Sequence, residues 1–320
     1  MINISKEKYW DRALSWVDGC TPCSPGCEHC WSAGMAHRFI RCVGPINAER
    51  MRGEPILTDD NGRFNGRIIT RPERLSIPLK RRKPTVYAVW NDLFHEEVPE
   101  IFISQALAVT AGNSPHTFLI LTKRPKHMAD YFAGEDFTDL LRNVYFGLTV
   151  CNQQEADAKI PVFFQVSGKK FLSIEPMLGE IDISDCLWEF NENYQPPRFL
   201  DEGESYNVKP TVPSDKIDAV ILGGETAPGA RPMHPDWVRS VRDQCDAAGV
   251  PFFFKGWGEW LPVGEMPTLE FKPIGENDAL SRFHLWGDFD KNVSMKIGRK
   301  AAGRLLDGRT HNDLPWRELL

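Results

Sequence analysis

The sequence has no long hydrophobic run. No stretch approaches the ~20 apolar residues needed to cross a bilayer, and the hydrophobic fraction of 42% is typical of globular proteins. The N-terminal stretch MINISKEKYWDRALSW carries charges where an export signal needs an unbroken apolar segment. We therefore expect a cytoplasmic protein in a reducing compartment, without a membrane span.

The sequence also lacks a basic excess, internal repeats of fixed period and low-complexity tracts. Its net charge of −6 and pI of about 5.8 argue against a general nucleic-acid coat, because such domains carry surplus Lys and Arg. Two local basic groups remain as candidates for phosphate contacts, although charge runs most often form solvated faces. They are Lys80-Arg81-Arg82-Lys83 and the set Lys296, Arg299, Lys300, Arg304 and Arg309.

Cysteine is present and is unevenly distributed. Without an export signal, the eight cysteines of a 320-residue chain are expected to act as thiols or ligands and not as a disulfide framework. Four fall within eleven residues: Cys20, Cys23, Cys27 and Cys30. The others are scattered singly and are expected to be packing residues: Cys42, Cys151, Cys186 and Cys245.

From about residue 84, short apolar runs alternate with polar stretches of helical spacing. This alternation predicts repeated βα units and a parallel sheet. The predicted strands are Val86–Trp90, Thr117–Leu121, Val144–Thr149, Lys170–Ile174, Ala219–Leu222 and Pro251–Phe254. Helices are expected at Ile101–Ala111 and Pro235–Ala248. We predict an α/β fold, a partial or full (β/α) barrel of about six to seven parallel strands.

The predicted barrel covers residues 1–270, and residues 271–320 are expected to form a small C-terminal appendage. Residues 186–216 are polar and proline-rich, which is typical of a surface insertion. Residues 42–74 are similarly irregular and separate the cysteines from the first clear strand.

Each predicted strand runs directly into polar or glycine residues. In parallel α/β folds, ligand sites lie at these C-terminal strand ends. If the strands share one sheet, their ends meet at a common mouth, where Asp92, Glu175 and Lys255 are candidate catalytic residues. Helix caps or structural ion pairs use the same residue types.

The closely spaced cysteines suit an iron–sulfur cluster. Three thiolates can hold three irons of a [4Fe–4S] cube and leave the fourth iron open to a cofactor. The alternative is a structural zinc site, because Cys20–Cys23 and Cys27–Cys30 are two C-x2-C pairs. Zinc pairs normally stand about a dozen or more residues apart, whereas three residues separate the pairs here. The spacing favours a cluster.

The chain resembles, along nearly its whole length, a family of phage and bacterial three-cysteine-motif proteins thought to be radical S-adenosylmethionine enzymes. The matching stretches are GCTPCSPGCEHCW, NDLFHEEVP, LILTKRPKHM, NVYFGLTVCNQQEAD, FLSIEPMLGEID, ILGGETAPGARPM, PFFFKGWGEW and KAAGRLLDGRTHNDLP. The family's C-x6-C-x2-C pattern maps onto Cys20, Cys27 and Cys30. The general superfamily spacing, with His29 before the last cysteine, instead selects Cys23 as the first ligand.

The resemblance implies a [4Fe–4S] cluster and S-adenosylmethionine as cofactors. Gly223-Gly224-Glu225 looks like the motif that accepts a hydrogen bond from the amino group of S-adenosylmethionine, although in most of the superfamily that motif follows the second strand. Thr122, Lys123 and Arg124 are candidates for contacts with the cofactor's carboxylate or a substrate phosphate. A strand-capping turn and a surface ion pair explain the same residues.

Some phage members of this kind are associated with thymidine hypermodification of DNA that evades host restriction. The resemblance implies an isomerase that converts N-linked into C-linked glycinyl-thymidine, with DNA or a modified thymidine nucleotide and a flavodoxin-like reductant as partners. The alternatives are another radical lyase or repair-type enzyme on a nucleic-acid base, and a non-catalytic zinc-binding adaptor. Trp257 or Trp260 is a candidate stacking surface for a base, and core packing explains both equally.

Overall fold

A computed structural model describes residues 8–43, 56–111, 115–133, 135–187, 216–266, 282–287 and 292–317. Its centre is a sheet of seven parallel strands in the order β1-β4-β5-β6-β7-β8-β9. They are β1 (Arg12–Leu14), β4 (Val86–Val89), β5 (Thr117–Thr122), β6 (Val144–Thr149), β7 (Lys169–Ile174), β8 (Ala219–Gly223) and β9 (Phe252–Gly256). The sheet is open, with β1 and β9 at its edges, and curls into a half-barrel.

The predicted α/β fold with six to seven parallel strands is confirmed. All six predicted strands are present, with ends shifted by at most two residues. The seventh, β1, escaped prediction because it has three residues, two of them exposed, which is too short for a periodicity signal.

The helices that follow β4, β5, β6, β7 and β8 cover the outer face of the main sheet. The helices are α1 (Trp31–Val43), α2 (Glu100–Thr110), α3 (Pro125–Phe132), α4 (Gln153–Phe163), α5 (Ser184–Leu187), α6 (Pro235–Ala248) and α7 (Arg299–Ala302). The main apolar core lies between α2, α3, α4 and α6 and the outer strand residues, such as Phe118, Ile120 and Leu148. The helix α6 has Pro235 in its first turn and ends at Gly249 in the left-handed region, as its sequence predicts.

The inner, concave face of the half-barrel is filled at its N-terminal half. Trp316 is fully buried there, with its ring 4.9 Å from Tyr145 and 5.7 Å from Phe171. Its Nε1 donates to the carbonyl of Tyr9 at 2.9 Å. The C-terminal segment therefore closes this half, and the polar side chains at the strand ends line the other.

Two small sheets accompany the main one. The strands β2 (Val17–Asp18) and β3 (Ile69–Thr70) pair next to the cysteines. The strands β10 (Trp260–Pro262), β11 (Phe283–Leu285) and β12 (Val293–Lys296) form an antiparallel sheet of order β10-β12-β11. Of the predicted insertion at 186–216, residues 188–215 lie outside the described residues. Across the described ranges, no helix is long and apolar enough to span a membrane.

Candidate functional site

The cysteine loop, residues 20–30, lies over the C-terminal ends of the parallel strands. Arg124, which follows β5, donates to the carbonyl of Thr21 at 2.7 Å. Arg231, in the segment after β8, donates to the carbonyl of Pro25 at 2.9 Å. The structure thus brings the predicted ligand cysteines to the predicted mouth.

The first anchor of the loop is Arg124, whose side chain is only 7% exposed. It donates to Asp92 at 3.0 Å, to Glu96 at 2.7 Å and to the Sγ of Cys20 at 3.9 Å. Burial disfavours the guanidinium, but the carboxylate of Asp92 outweighs this and the pKa of Arg124 is raised. A fixed positive charge therefore lies against the first thiol of the loop.

Asp92, a predicted catalytic candidate, holds Arg124 in position. Its Oδ1 accepts from the Oγ1 of Thr122 at 2.7 Å, and its Oδ2 accepts from the backbone N–H of Lys123 at 3.2 Å. The Oγ1 of Thr122 in turn accepts from the backbone of Arg124. Asp92 and Thr122 are therefore engaged inside the protein, where they orient Arg124.

The second anchor joins Arg231 to Glu225. Glu225 is buried and accepts from Arg231 at the backbone N–H (2.7 Å) and at Nε (3.0 Å), and a third, short contact links its Oε1 to Nη2. Arg231 also donates to Glu28 at 3.0 Å. The carboxylate of the predicted cofactor motif therefore holds the second half of the cysteine loop through one arginine.

The two glycines of that motif are closely packed, Gly224 more tightly than Gly223. A Cβ on Gly224 would lie 2.3 Å from the carbonyl oxygen of Trp257, and one on Gly223 would lie 3.1 Å from the Oε1 of Glu175. Only glycine permits the first approach. Packing therefore accounts for Gly224, whereas at Gly223 the neighbouring side chains would have to move by only a few tenths of an ångström.

The thiols of the loop differ in exposure and in their electrostatic surroundings. Cys20, Cys27 and Cys30 are half-buried, whereas Cys23 is exposed. Burial, reinforced by the carboxylate of Asp92, raises the pKa of Cys20 to about 11. A hydrogen bond from Cys23 lowers the pKa of Cys27 to about 5, against the effect of burial. The hydrogen bond therefore favours the thiolate of Cys27, the form that binds metals.

The thiols do not converge on one point. Within the described parts of the chain, no three His, Cys, Asp or Glu side chains are placed to hold a single metal ion. Thiolates around one zinc, each at ~2.3 Å from the metal, stand about 4 Å from one another. Thiolates around a [4Fe–4S] cube bind different irons and need not meet at one point.

Gly26 lets the loop lie directly on the strand ends. A Cβ at this position would be 2.4 Å from the Sγ of Cys151, which follows β6, and 2.9 Å from the Cδ of Pro176. Cys151, Cys186 and Cys245 are buried, which confirms the prediction that they are packing residues. The side chain of Cys42 lies outside the described residues.

The other predicted mouth residues lie on the inner face. The Nζ of Lys255 is 2.6 Å from the Oε1 of Glu175, whose Oε2 accepts from Tyr9 and Ser173 at 3.3 Å. Lys123 is half-buried and favours the thiolate of Cys27 electrostatically. Among the residues that the structure describes, none forms an ion pair or hydrogen bond with the Lys123 side chain. Its ammonium is therefore available to an anionic ligand.

An open cleft of about 860 Å³ borders the cysteine loop. It is lined by Thr21, Cys23, Gly66, Arg67, Ile68, Ile69, His95, Glu96, Glu97 and Arg124. The Nε2 of His95 lies 2.9 Å from the Oγ1 of Thr21. Cys23 is thus the thiol of the loop that small molecules reach from this side.

A family model described as a protein of unknown function (DUF5131) matches residues 5–315. The chain belongs to the DUF5131 family. Comparison with curated proteins and with solved structures gave no match. The site of this DUF5131 protein is therefore interpreted from its own residues.

The tryptophans suggested for base stacking lie elsewhere. Trp257 is 1% exposed, and its Nε1 donates to the carbonyl of Leu305 at 2.7 Å, so the hypothesis of an exposed Trp257 is wrong. Trp260 is half-buried, with its Nε1 on the carbonyl of Ala230. Both rings follow β9, where their indole N–H groups find carbonyl partners inside the fold.

The two basic groups lie at different ends of the sheet. Residues 80–83 precede β4 and therefore lie at the edge opposite the cysteine loop. The C-terminal group lies close to the end of β9, because the carbonyl of Gly303 accepts from the backbone of Trp257. Arg304 from this group donates to the carbonyl of Phe254. Of the two groups, the C-terminal one is nearer to the mouth.

Proposed function

We propose that the protein holds a [4Fe–4S] cluster on the cysteine loop and uses it with S-adenosylmethionine for radical chemistry at the mouth of the half-barrel. The observation that carries the proposal is the position of three half-buried thiols over the C-terminal ends of a parallel sheet. Parallel α/β folds place ligand chemistry at this edge. The fold is accordingly proposed to be a partial barrel of the radical S-adenosylmethionine type.

The donor set fits the cluster. Cys20, Cys27 and Cys30 are the proposed ligands, with Cys23 as the alternative to Cys20. Cys20 is preferred because Arg124 donates to its sulfur, and hydrogen bonds to cluster sulfurs tune the reduction potential. When bound and reduced, the cluster would supply one-electron cleavage of the cofactor's sulfonium and a radical that abstracts hydrogen.

The chain's own residues are proposed to bind the cofactor's polar groups. Lys123, with no described ion-pair partner, suits a carboxylate. An ionised carboxylate offers about four acceptor sites, and Arg231 occupies two on the Oε2 of Glu225 and one on Oε1. One site on Oε1 is therefore left for an ammonium group. The pair of Glu175 and Lys255 is proposed to exchange protons with the substrate.

The test is anaerobic purification and reconstitution with iron and sulfide. About four irons per chain, an EPR spectrum perturbed by S-adenosylmethionine, and 5′-deoxyadenosine after dithionite reduction are the expected results. Stoichiometric zinc in the anaerobically purified protein, with no cluster after reconstitution, would leave the zinc-binding adaptor as the better account.

The narrower proposal is the isomerisation of N-linked to C-linked glycinyl-thymidine in DNA, with a flavodoxin-like protein as reductant. Its support is the resemblance of the eight sequence stretches. The reconstituted protein is incubated with an oligonucleotide that carries N-linked glycinyl-thymidine. An isomerase gives a nucleoside of unchanged mass and new chromatographic retention. A product of altered mass would favour a lyase or a repair-type enzyme.

A further inference from the structure

Three tryptophans meet at one side of the mouth. Trp31 directly follows Cys30 and begins α1, Trp90 follows β4, and Trp10 precedes β1. The ring centroids of Trp31 and Trp90 are 4.6 Å apart, and those of Trp90 and Trp10 are 5.7 Å apart, both in edge-to-face contact. The last cysteine of the loop therefore adjoins an aromatic cluster.

The aromatic cluster of Trp31, Trp90 and Trp10 lies on the concave face and is held in place. Side chains alternate along β4, so Trp90 has the same orientation as Val86, a residue of the inner apolar cluster. Trp10 packs against that inner cluster as well. The Oγ of Ser32 donates to the Oδ1 of Asn91 at 3.0 Å and so ties the neighbour of Trp31 to the neighbour of Trp90.

Trp31 is exposed, whereas the other tryptophans that the structure describes are buried or half-buried. Its exposed fraction is 42%, whereas Trp16 and Trp316 are fully buried. Met35 lies one turn further along the same face of α1 and is 46% exposed. A contiguous exposed apolar surface beside a ligand site is typical of a binding surface.

We infer that Trp31, Trp90 and Trp10 form a stacking platform for the heteroaromatic ring of the substrate, a nucleobase. Tryptophan stacks any base, because every base has a π face. The Nζ of Lys8 lies 4.5 Å from the ring centroid of Trp10 and places a positive charge at the border of the platform. This charge suits the phosphate attached to the base.

The position of the platform favours the substrate over the adenine of the cofactor. The motif proposed to bind the cofactor's amino group follows β8, and Trp90 follows β4, four strands away in the sheet order. Because neighbouring strands lie about 4.8 Å apart, the motif and Trp90 are separated by about 19 Å along the curved sheet. The assignment to the substrate depends on the proposed function, whereas base binding itself does not.

The test measures binding of thymidine 5′-monophosphate, a short oligothymidylate and S-adenosylmethionine to the reconstituted protein and to the protein before reconstitution. We expect Trp31→Ala to weaken base binding about tenfold, as for the loss of one stacked base, and Trp31→Phe to restore most of it. Leu140→Ala, which changes an exposed apolar residue before β6 at the end of the sheet opposite the cysteine loop, is the control and should change binding less than twofold. Lys8→Ala should weaken the oligonucleotide more than the mononucleotide.

The outcomes distinguish a failure of the stacking platform from a failure of the proposed iron–sulfur cluster. Unchanged nucleotide binding by Trp31→Ala, or a loss seen only for S-adenosylmethionine, would overturn the assignment, even in a protein that holds iron and cleaves the cofactor. A tenfold loss in a protein that takes up no iron on reconstitution would support the platform and contradict the radical chemistry. Binding of the oligonucleotide alone, lost in Trp31→Ala, would identify a polymer as the substrate.

Discussion

The two arginines that hold the cysteine loop differ in depth and in what they contact. The side chain of Arg124 is 7% exposed and that of Arg231 is 32% exposed. Arg124 reaches the sulfur of Cys20 as well as a loop carbonyl, whereas the side-chain hydrogen bonds of Arg231 go to oxygen atoms. The first anchor therefore brings charge to the thiols, and the second holds the loop through the carbonyl of Pro25 and the carboxylate of Glu28.

The largest expected effect concerns the thiols that the two anchors hold. Cys27→Ser and Cys30→Ser should each abolish iron binding after reconstitution, because three thiolates are needed to hold the cube. Cys20→Ser should do the same, while Cys23→Ser, which changes the exposed thiol of the loop, should retain about four irons per chain. Iron analysis and absorption spectra measure both results.

The comparison of Cys20→Ser with Cys23→Ser decides whether Cys20 or Cys23 is the first ligand. Iron lost from Cys23→Ser and kept in Cys20→Ser would show that Arg124 contacts a thiol outside the ligand set. Zinc bound by the wild type and lost in all four variants would indicate the four-thiolate site.

The next largest effect is expected for a change of Arg124, the more deeply buried of the two arginines. Arg124→Met removes the partner of buried Asp92 and should lower the free energy of unfolding by about 3 kcal/mol, as for other broken buried pairs. It should also lower the reduction potential of the cluster, because a positive charge beside a cluster sulfur favours the reduced state. Denaturant unfolding and a potentiometric EPR titration measure the two quantities.

A double variant tests the cause. Arg124→Met combined with Asp92→Asn should recover part of the lost stability, because no unpaired carboxylate remains buried. It should not recover the potential. A potential that is unchanged in both variants would show that Arg124 only supports the loop.

The sequence predicted the strands of the sheet better than the side-chain contacts that hold the cysteine loop. Strands such as Val144–Thr149 are long and apolar, so their pattern is readable before any tertiary contact is known. The polar residues after them were correctly expected to meet, because parallel strands bring their C-terminal ends to one edge. The role of Arg231 was missed, since its partners Pro25 and Glu28 lie about 200 residues earlier in the chain.

The same reason explains the tryptophans. Trp257 and Trp31 both lie in stretches that resemble the family's motifs. Trp257 is 1% exposed and Trp31 is 42% exposed, and nothing in the neighbouring sequence distinguishes them. Only the packing of the C-terminal segment, whose Leu305 carbonyl accepts from Trp257, separates them. Residue type thus predicted a stacking role, and tertiary packing decided which residue is available for it.

Gly26 directly follows Pro25, which the second anchor holds, and it tests whether the loop must rest on the strand ends. Gly26→Ala should lower the free energy of unfolding by about 2 kcal/mol, the usual cost of overpacking, because its Cβ meets the Sγ of Cys151 at 2.4 Å. It should also weaken iron retention. Adding Cys151→Ala should recover part of both effects, and Gly34→Ala, whose Cβ meets open space, is the matched control. No effect of Gly26→Ala would mean that the loop moves freely.

The smallest effect is expected at the second anchor. Arg231→Met leaves Glu225 buried without its partner, but solvent reaches this side of the loop, so the loss of unfolding free energy should be about 1–2 kcal/mol. The reduction potential of the cluster should equal that of the wild type, because the side chain of Arg231 donates to oxygen atoms. Faster loss of iron on dilution, cured by adding Glu225→Gln, is the expected sign of a loosened loop. A potential shift as large as that of Arg124→Met would remove the distinction between the anchors, because both arginines would then act on the thiols through charge.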